Sequence, residues 1–230
     1  MKTFKILGLL LTYPSPELTS HMDELKAEVE GESLLDAKLQ KRLLAFMDTL
    51  GSRNLMKSQE DYVALFDRGR AHSLHLFEHV HGESRDRGPA MVDLAEHYRT
   101  KGLQIEGGEL PDYLPIFMEF LSRCSVGEAQ ETLRDAVHIV AIIGAKLKRR
   151  KSDYAVVFKA IESLSDTKID QQVIDQALAD DAQVDTSLEA LDKEWEETPA
   201  FDGASALDCA GCPVATPPAP SAQRDSQTNL

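Results

Sequence analysis

Cysteine is nearly absent. Three in 230 residues (Cys124, Cys209, Cys212) cannot build a disulfide scaffold, which excludes a bridge-stapled secreted domain and fits a reducing compartment. Aromatic residues make up only 6% of the chain and β-branched alternation is sparse, which sets aside an all-β sandwich or barrel. No apolar run approaches the roughly 18 residues of a membrane span. Positive charge is in the minority: 25 Lys and Arg face 39 Asp and Glu, a net charge of −14, so nucleic acid and anionic membranes are repelled as general partners. Phosphate-cradling glycine loops and a G-x-S-x-G nucleophile elbow are missing as well.

The acid is unevenly placed. Residues 165–230 hold fourteen acids against three bases, while residues 1–164 are close to neutral. The expected organisation is an all-α domain of about eight helices over residues 1–164, an acidic and partly helical segment over 165–198, and a disordered Ala/Pro/Ser-rich tail over 199–230. The opening, MKTFKILGLLLTYPSP, has the lysines and the apolar run of a short signal peptide but no small-x-small cleavage site. An apolar helix stopped by Pro14 is the reading, and the protein is expected to be cytoplasmic.

Helical periodicity runs through nearly every segment. Ser15-Pro16 restarts a helix after Pro14, with Ser15 as N-cap and Pro16 at the first helical position, and Gly31 ends it. Leu35, Leu39, Leu43, Leu44 and Met47 mark the buried face of a helix ending at Gly51. Further helices are expected over 55–67, after Pro89, through the apolar residues 116–121, over 127–150 and over 154–164. The apolar stretches 91–98 and 114–120 are ordinary core by composition, but they also suit the walls of a groove that takes a partner helix.

Chemistry concentrates in residues 62–88, YVALFDRGRAHSLHLFEHVHGESRDRG. Four of the seven histidines (His72, His75, His79, His81) lie there with Arg68, Arg70, Arg85 and Arg87, balanced by Asp67, Glu78, Glu83 and Asp86. A helix over 72–81 would put His72, His75 and His79 on one face. Three readings follow: a metal site, a structural network, and a recognition surface. The spacing matches no zinc signature. Cys209-x-x-Cys212 offers two thiolates without a second pair or an adjacent His, and no thioredoxin-like context. Trp195 and Phe201, in the acidic segment, would anchor it to the domain or to a partner.

The sequence also resembles a family. Residues 8–18 (GLLLTYPSPEL), Leu65-Phe66-Asp67, residues 73–88 (SLHLFEHVHGESRDRG) and residues 110–115 (LPDYLP) are similar to the nitrate reductase molybdenum cofactor assembly chaperones. These form the NarJ family, within the redox enzyme maturation proteins related to TorD and DmsD. The resemblance covers residues 4–201, and its most specific run is His79-Val80-His81-Gly82. It implies an all-helical fold, no catalytic turnover and no cofactor or metal of the chaperone's own. The implied partner is the apo α (catalytic) subunit of respiratory nitrate reductase, bound in the cytoplasm partly through its N-terminal segment, taken as a helix in an apolar groove. The client would be held competent for molybdenum cofactor insertion and iron–sulfur maturation before membrane docking, with molybdenum cofactor biosynthesis proteins as further partners. Tyr62, Leu65 and Phe66 are the expected apolar wall of the client site. His79, His81, Arg85 and Arg87 are its expected polar rim, with Asp67, Gly82 and Gly88 as a structural latch in which Asp67 pairs with Arg85 or Arg87. The rival readings are a twin-arginine signal-peptide proofreading chaperone for another molybdoenzyme, and a metal-binding enzyme built on His72, His75 and His79.

Overall fold

An apolar first helix, buried on nearly every side, organises the computed structural model, which describes residues 1–80, 85–105 and 108–183. Helix α1 (Lys2–Leu10) buries Thr3, Phe4, Ile6, Leu7, Gly8 and Leu10 and leaves only a narrow solvated edge at Lys2 and Lys5. It packs against α8 (Leu114–Arg123), α3 (Met22–Glu32) and α10 (Ala155–Ser163). Gly8 permits the closest of these approaches: a Cβ there would lie 2.9 Å from the Pro115 carbonyl oxygen and 3.0 Å from the Met118 Cβ. The free N–H groups that begin α1 find an acceptor in Glu32, whose carboxylate receives the backbone N–H of Lys2 and of Thr3, each at 2.7 Å. Partial burial works the other way, yet these donors hold the Glu32 carboxyl below its ordinary value.

Around this centre run α2 (Pro16–Ser20), α4 (Ala37–Ser52), α5 (Leu55–Tyr62), α6 (Leu76–Val80), α7 (Arg87–Thr100), α9 (Val126–Arg149) and α11 (Gln171–Gln183). The described residues form no strand; one isolated bridge joins His75 to Tyr113. The fold is all-α, as expected, with eleven α-helices among the described residues. The expected helix from Pro16 to Gly31 is divided at His21, because Thr19 and Ser20 hydroxyls bond back to the carbonyls of Ser15 and Glu17 and compete with the helical ladder. Ser15 caps α2 by accepting the Leu18 N–H, with Pro16 at the first position. Beyond residue 164, α11 packs on α9, where Arg149 donates to the Leu178 carbonyl at 2.6 Å. His81 and Gly82, and the segment with Trp195, Phe201, Cys209 and Cys212, lie outside the described residues.

Candidate functional site

Residues 72–80 do not form the continuous helix that the histidine spacing predicts over 72–81. After α5 the chain makes a π-helical turn (Val63–Asp67) and a short 3-10 turn (Arg70–His72), then runs extended before α6. The break has a long-range cause. The Leu114 N–H donates to the Leu74 carbonyl at 2.8 Å and the Leu76 N–H to the Asp112 carbonyl at 3.0 Å, so residues 74–76 are drawn out alongside 112–114. His72, His75 and His79 therefore share no helix face, and among the described residues no group of three or more His, Cys, Asp or Glu could hold a metal ion.

Tyr62 and Phe66 are core residues, only 4% and 5% exposed. Their rings lie 5.0 Å apart and Phe66 meets Tyr154 edge-on at 5.1 Å, an arrangement worth more than its buried area alone. The Tyr62 hydroxyl donates to the Leu11 carbonyl at 2.9 Å and touches the Tyr113 hydroxyl at 3.2 Å; burial raises its pKa well above that of a free phenol. Leu65 is half-buried and faces a separate cleft of about 450 Å³ that Phe46, Arg53, Asp61, Arg150 and Tyr154 also line. Asp67, Arg85 and Gly88 are exposed.

The ionic centre of the segment is a residue from another part of the chain, Asp112, whose side chain is 0% exposed. Its carboxylate accepts the Phe77 N–H at 3.0 Å and the His75 Nδ1–H at 3.2 Å, with the Arg87 guanidinium at 3.7 Å. Arg87 also faces Glu78 at 3.5 Å. Asp67 is expected to pair with Arg85 or Arg87; the observed partners of Arg87 are Asp112 and Glu78, because the pairing of 74–76 with 112–114 brings Asp112 next to α6. The sequence signal was a lone carboxylate in the otherwise apolar run Leu110-Pro111-Asp112-Tyr113-Leu114. His79 lies beside this centre and donates Nε2–H to the Ser73 carbonyl at 2.9 Å, which fixes its neutral tautomer.

These two histidines titrate in opposite senses. The hydrogen bond to Asp112 raises the His75 pKa above its ordinary 6.5, while burial lowers that of His79 below the same value, the Ser73 carbonyl only partly opposing it. Stability from the His75–Asp112 pair is therefore complete below 6.5 and is lost as pH rises through the raised value of His75. His79 costs stability as pH falls below 6.5, because the unfolded chain takes up a proton that the folded ring refuses. Relative to the wild type, His79→Gln should gain stability and His75→Gln should lose it between about pH 8 and about pH 5.5, in urea unfolding. Parallel pH curves for all three proteins would contradict this assignment.

In front of α6 lies a groove of about 760 Å³, within the usual range of roughly 300–1,000 Å³ for binding pockets. Its floor is apolar: Leu76 and Phe77 from α6, Leu94 from α7, Phe117 from α8, and Ala136 and Ile139 from α9. Val80, 57% exposed, stands at its edge. Asp93 of α7, Lys101 just past its end, and Glu128, Glu131 and Asp135 of α9 form the rim. Lys101 and Glu128 meet across the groove at 2.6 Å. Glu128 is also the far member of the capping box that starts α9 at Ser125, and its carboxyl is brought down to about 2, chiefly by the Lys101 hydrogen bond. The expected groove walls 91–98 and 114–120 are thus brought together; the third wall, α9, was read only as a core helix. Of the expected client-site residues, Tyr62, Leu65, Phe66, His79 and Arg87 do not line this groove.

Residues 32–160 match the nitrate reductase delta subunit family. Over 192 residues the chain is 43% identical to the nitrate reductase molybdenum cofactor assembly chaperone NarJ of Escherichia coli K12, spanning 84% of this chain and 81% of that one. NarW of the same strain is 38% identical over 198 residues, 86% of this chain and 82% of that one. Among solved structures, a protein from Archaeoglobus fulgidus described as a redox enzyme maturation protein superposes with a TM-score of 0.52 over 70% of this chain and 91% of that one; at 22% identity this likeness shows the fold alone.

Proposed function

The chain belongs to the nitrate reductase delta subunit family, and from that membership we propose that it is a dedicated chaperone for a respiratory nitrate reductase. It binds the apo catalytic α subunit in the cytoplasm, holds it competent for molybdenum cofactor insertion and iron–sulfur maturation, and releases it to the membrane once loaded. Molybdenum cofactor biosynthesis proteins are natural further partners of such a complex. The relatives are named assembly chaperones, and the protein is a binding protein with no reaction of its own. Among the described residues no helix is long and apolar enough to cross a membrane.

The observation that carries the client-binding reading is the apolar groove between α6, α7, α8 and α9. A groove with this floor recognises an amphipathic helix through apolar anchors at i, i+3 or i+4, and i+7, which is how the N-terminal segment of the α subunit would be held. The Asp112 centre serves this site from behind: by holding the Phe77 N–H and His75 it sets the position of α6, and with it the floor residues Leu76 and Phe77. Tyr62 and Phe66 lie in the aromatic core with Tyr154 and Leu65 faces the separate cleft, so their part in client binding is indirect. Calorimetric titration of the full chain with a peptide from the N-terminus of the α subunit tests this. Saturable one-to-one binding with a negative heat-capacity change is expected, since apolar burial carries that signature. Heats no larger than dilution, at concentrations where the chain captures the whole apo subunit, would take the peptide out of the groove.

A further inference from the structure

We propose that the groove between α6 and α9 selects a cationic amphipathic helix, one with basic side chains on both flanks of its apolar stripe. This rests on the client reading above and names the chemistry of the segment that the groove accepts. The floor is apolar, and the walls that rise from it carry four carboxylates, Asp93, Glu128, Glu131 and Asp135, against one lysine, Lys101. Of the rim carboxylates, Glu128 is already matched by Lys101 at 2.6 Å, a pair that closes one end of the groove. The remaining three, Asp93 on one wall and Glu131 and Asp135 on the other, pair with no cation among the described residues.

Glu131 and Asp135 are four residues apart on α9, about 6 Å along its axis at 1.5 Å per residue. A helix lying along the groove presents flank residues with the same one-turn spacing, so two cations at i and i+4 on one flank meet both carboxylates. A third cation on the opposite flank meets Asp93. Other occupants meet like charge: the chain's own segment 165–230 holds fourteen acids against three bases, and an anionic helix adds its repulsion to the cost of desolvating the rim. Rim pairs of this kind set orientation and partner choice, while the floor supplies affinity.

Three titrants separate the possibilities: the α-subunit N-terminal peptide and two designed helices of roughly 15 residues, alike in their leucine stripe but flanked by Lys or by Glu. The Lys-flanked helix should bind at least tenfold more tightly than the Glu-flanked one, by roughly the summed effect of three exposed pairs. That preference should shrink as salt rises from about 50 to about 500 mM, because screening acts on exposed charges. The triple variant Asp93→Asn, Glu131→Gln, Asp135→Asn should bind the two designed helices within about threefold of each other and keep the wild-type thermal midpoint, since it removes no pair within the chain. Equal binding of Lys- and Glu-flanked helices to the wild type overturns the inference and leaves the client reading intact if the α-subunit peptide binds. A Lys-flanked helix that binds where the α-subunit peptide does not supports the groove's selectivity and removes the client reading instead. The salt series needs no variant, so a poorly folding triple substitution would not rescue the idea.

Discussion

Asp112→Ala should cost about 3–5 kcal/mol of folding stability, the range seen when one partner of a buried ionic group is removed. For a chain of this size that lowers the thermal midpoint by on the order of 10 °C. The side chain is fully buried, and two donors and a cation converge on it: the Phe77 N–H at 3.0 Å, His75 Nδ1–H at 3.2 Å and, as an ion pair, the Arg87 guanidinium at 3.7 Å. Alanine leaves the first two without an acceptor, and Arg87 keeps only Glu78 at 3.5 Å. Backbone pairing of 74–76 with 112–114 then has to hold the extended segment unaided. Asp112→Asn should fall between the two, because its one carbonyl oxygen can accept from Phe77 or from His75 but not from both. Calorimetric melting gives the global effect, and hydrogen exchange at the Phe77 amide reports the local one. A midpoint within about 2 °C of the wild type, under 1 kcal/mol at this size, would show that the backbone pairing alone holds the segment. With that loss the floor of the groove should loosen too, since Leu76 and Phe77 begin α6 directly beside the pair.

Periodicity made most of the helices legible, because a buried helical face repeats locally whatever it packs on. The buried faces of α4, α8, α9 and α10 stand where their leucine, valine and phenylalanine spacing puts them. Ser15-Pro16 announced α2 by its own chemistry. What failed was nonlocal. Nothing within residues 72–81 reveals that Leu74 and Leu76 bond to residues 112–114, so a helix was the natural reading and the shared histidine face went with it. Asp112 was hidden for the same reason: its donors are 35 and 37 residues away in the chain. Tyr62 and Phe66, expected in the apolar wall of the client site, lie in a buried cluster with Tyr154, a partner far away in the chain that local spacing does not reveal. The acids of the groove rim were present as an i, i+4 pair on α9, but a solvated helix face carries such pairs routinely. Only the apolar floor beside them gives them a task.

The sharpest consequence for binding concerns Leu94, which lies half-buried in the groove floor. Leu94→Asp should weaken the α-subunit peptide by at least about 30-fold, the roughly 2 kcal/mol that defines a central hot spot. In the free protein the new carboxylate keeps its water through the open groove, so the fold tolerates it with a modest loss. In the complex the apolar stripe of the helix covers it. Aspartate is too short to reach past that stripe to solvent, as a lysine would, and the cations proposed for the client sit on the flanks and not over the floor. The charge is then desolvated without a partner, a cost that falls on the bound state alone. Val80→Asp, at the 57% exposed edge, should lose less because water still reaches it. Met56→Asp, at a side chain 70% exposed on α5 and outside the groove lining, should leave affinity within about twofold, as an uninvolved surface change does. The three variants titrated at a temperature well below their midpoints give a ranking that a general loss of folding cannot mimic. If Leu94→Asp binds the peptide within about threefold of the wild type while folded, it falls short of the hot-spot threshold and the client is held elsewhere. The cleft of about 450 Å³ beside Leu65, between α4, α5 and the start of α10, is then the next place to look.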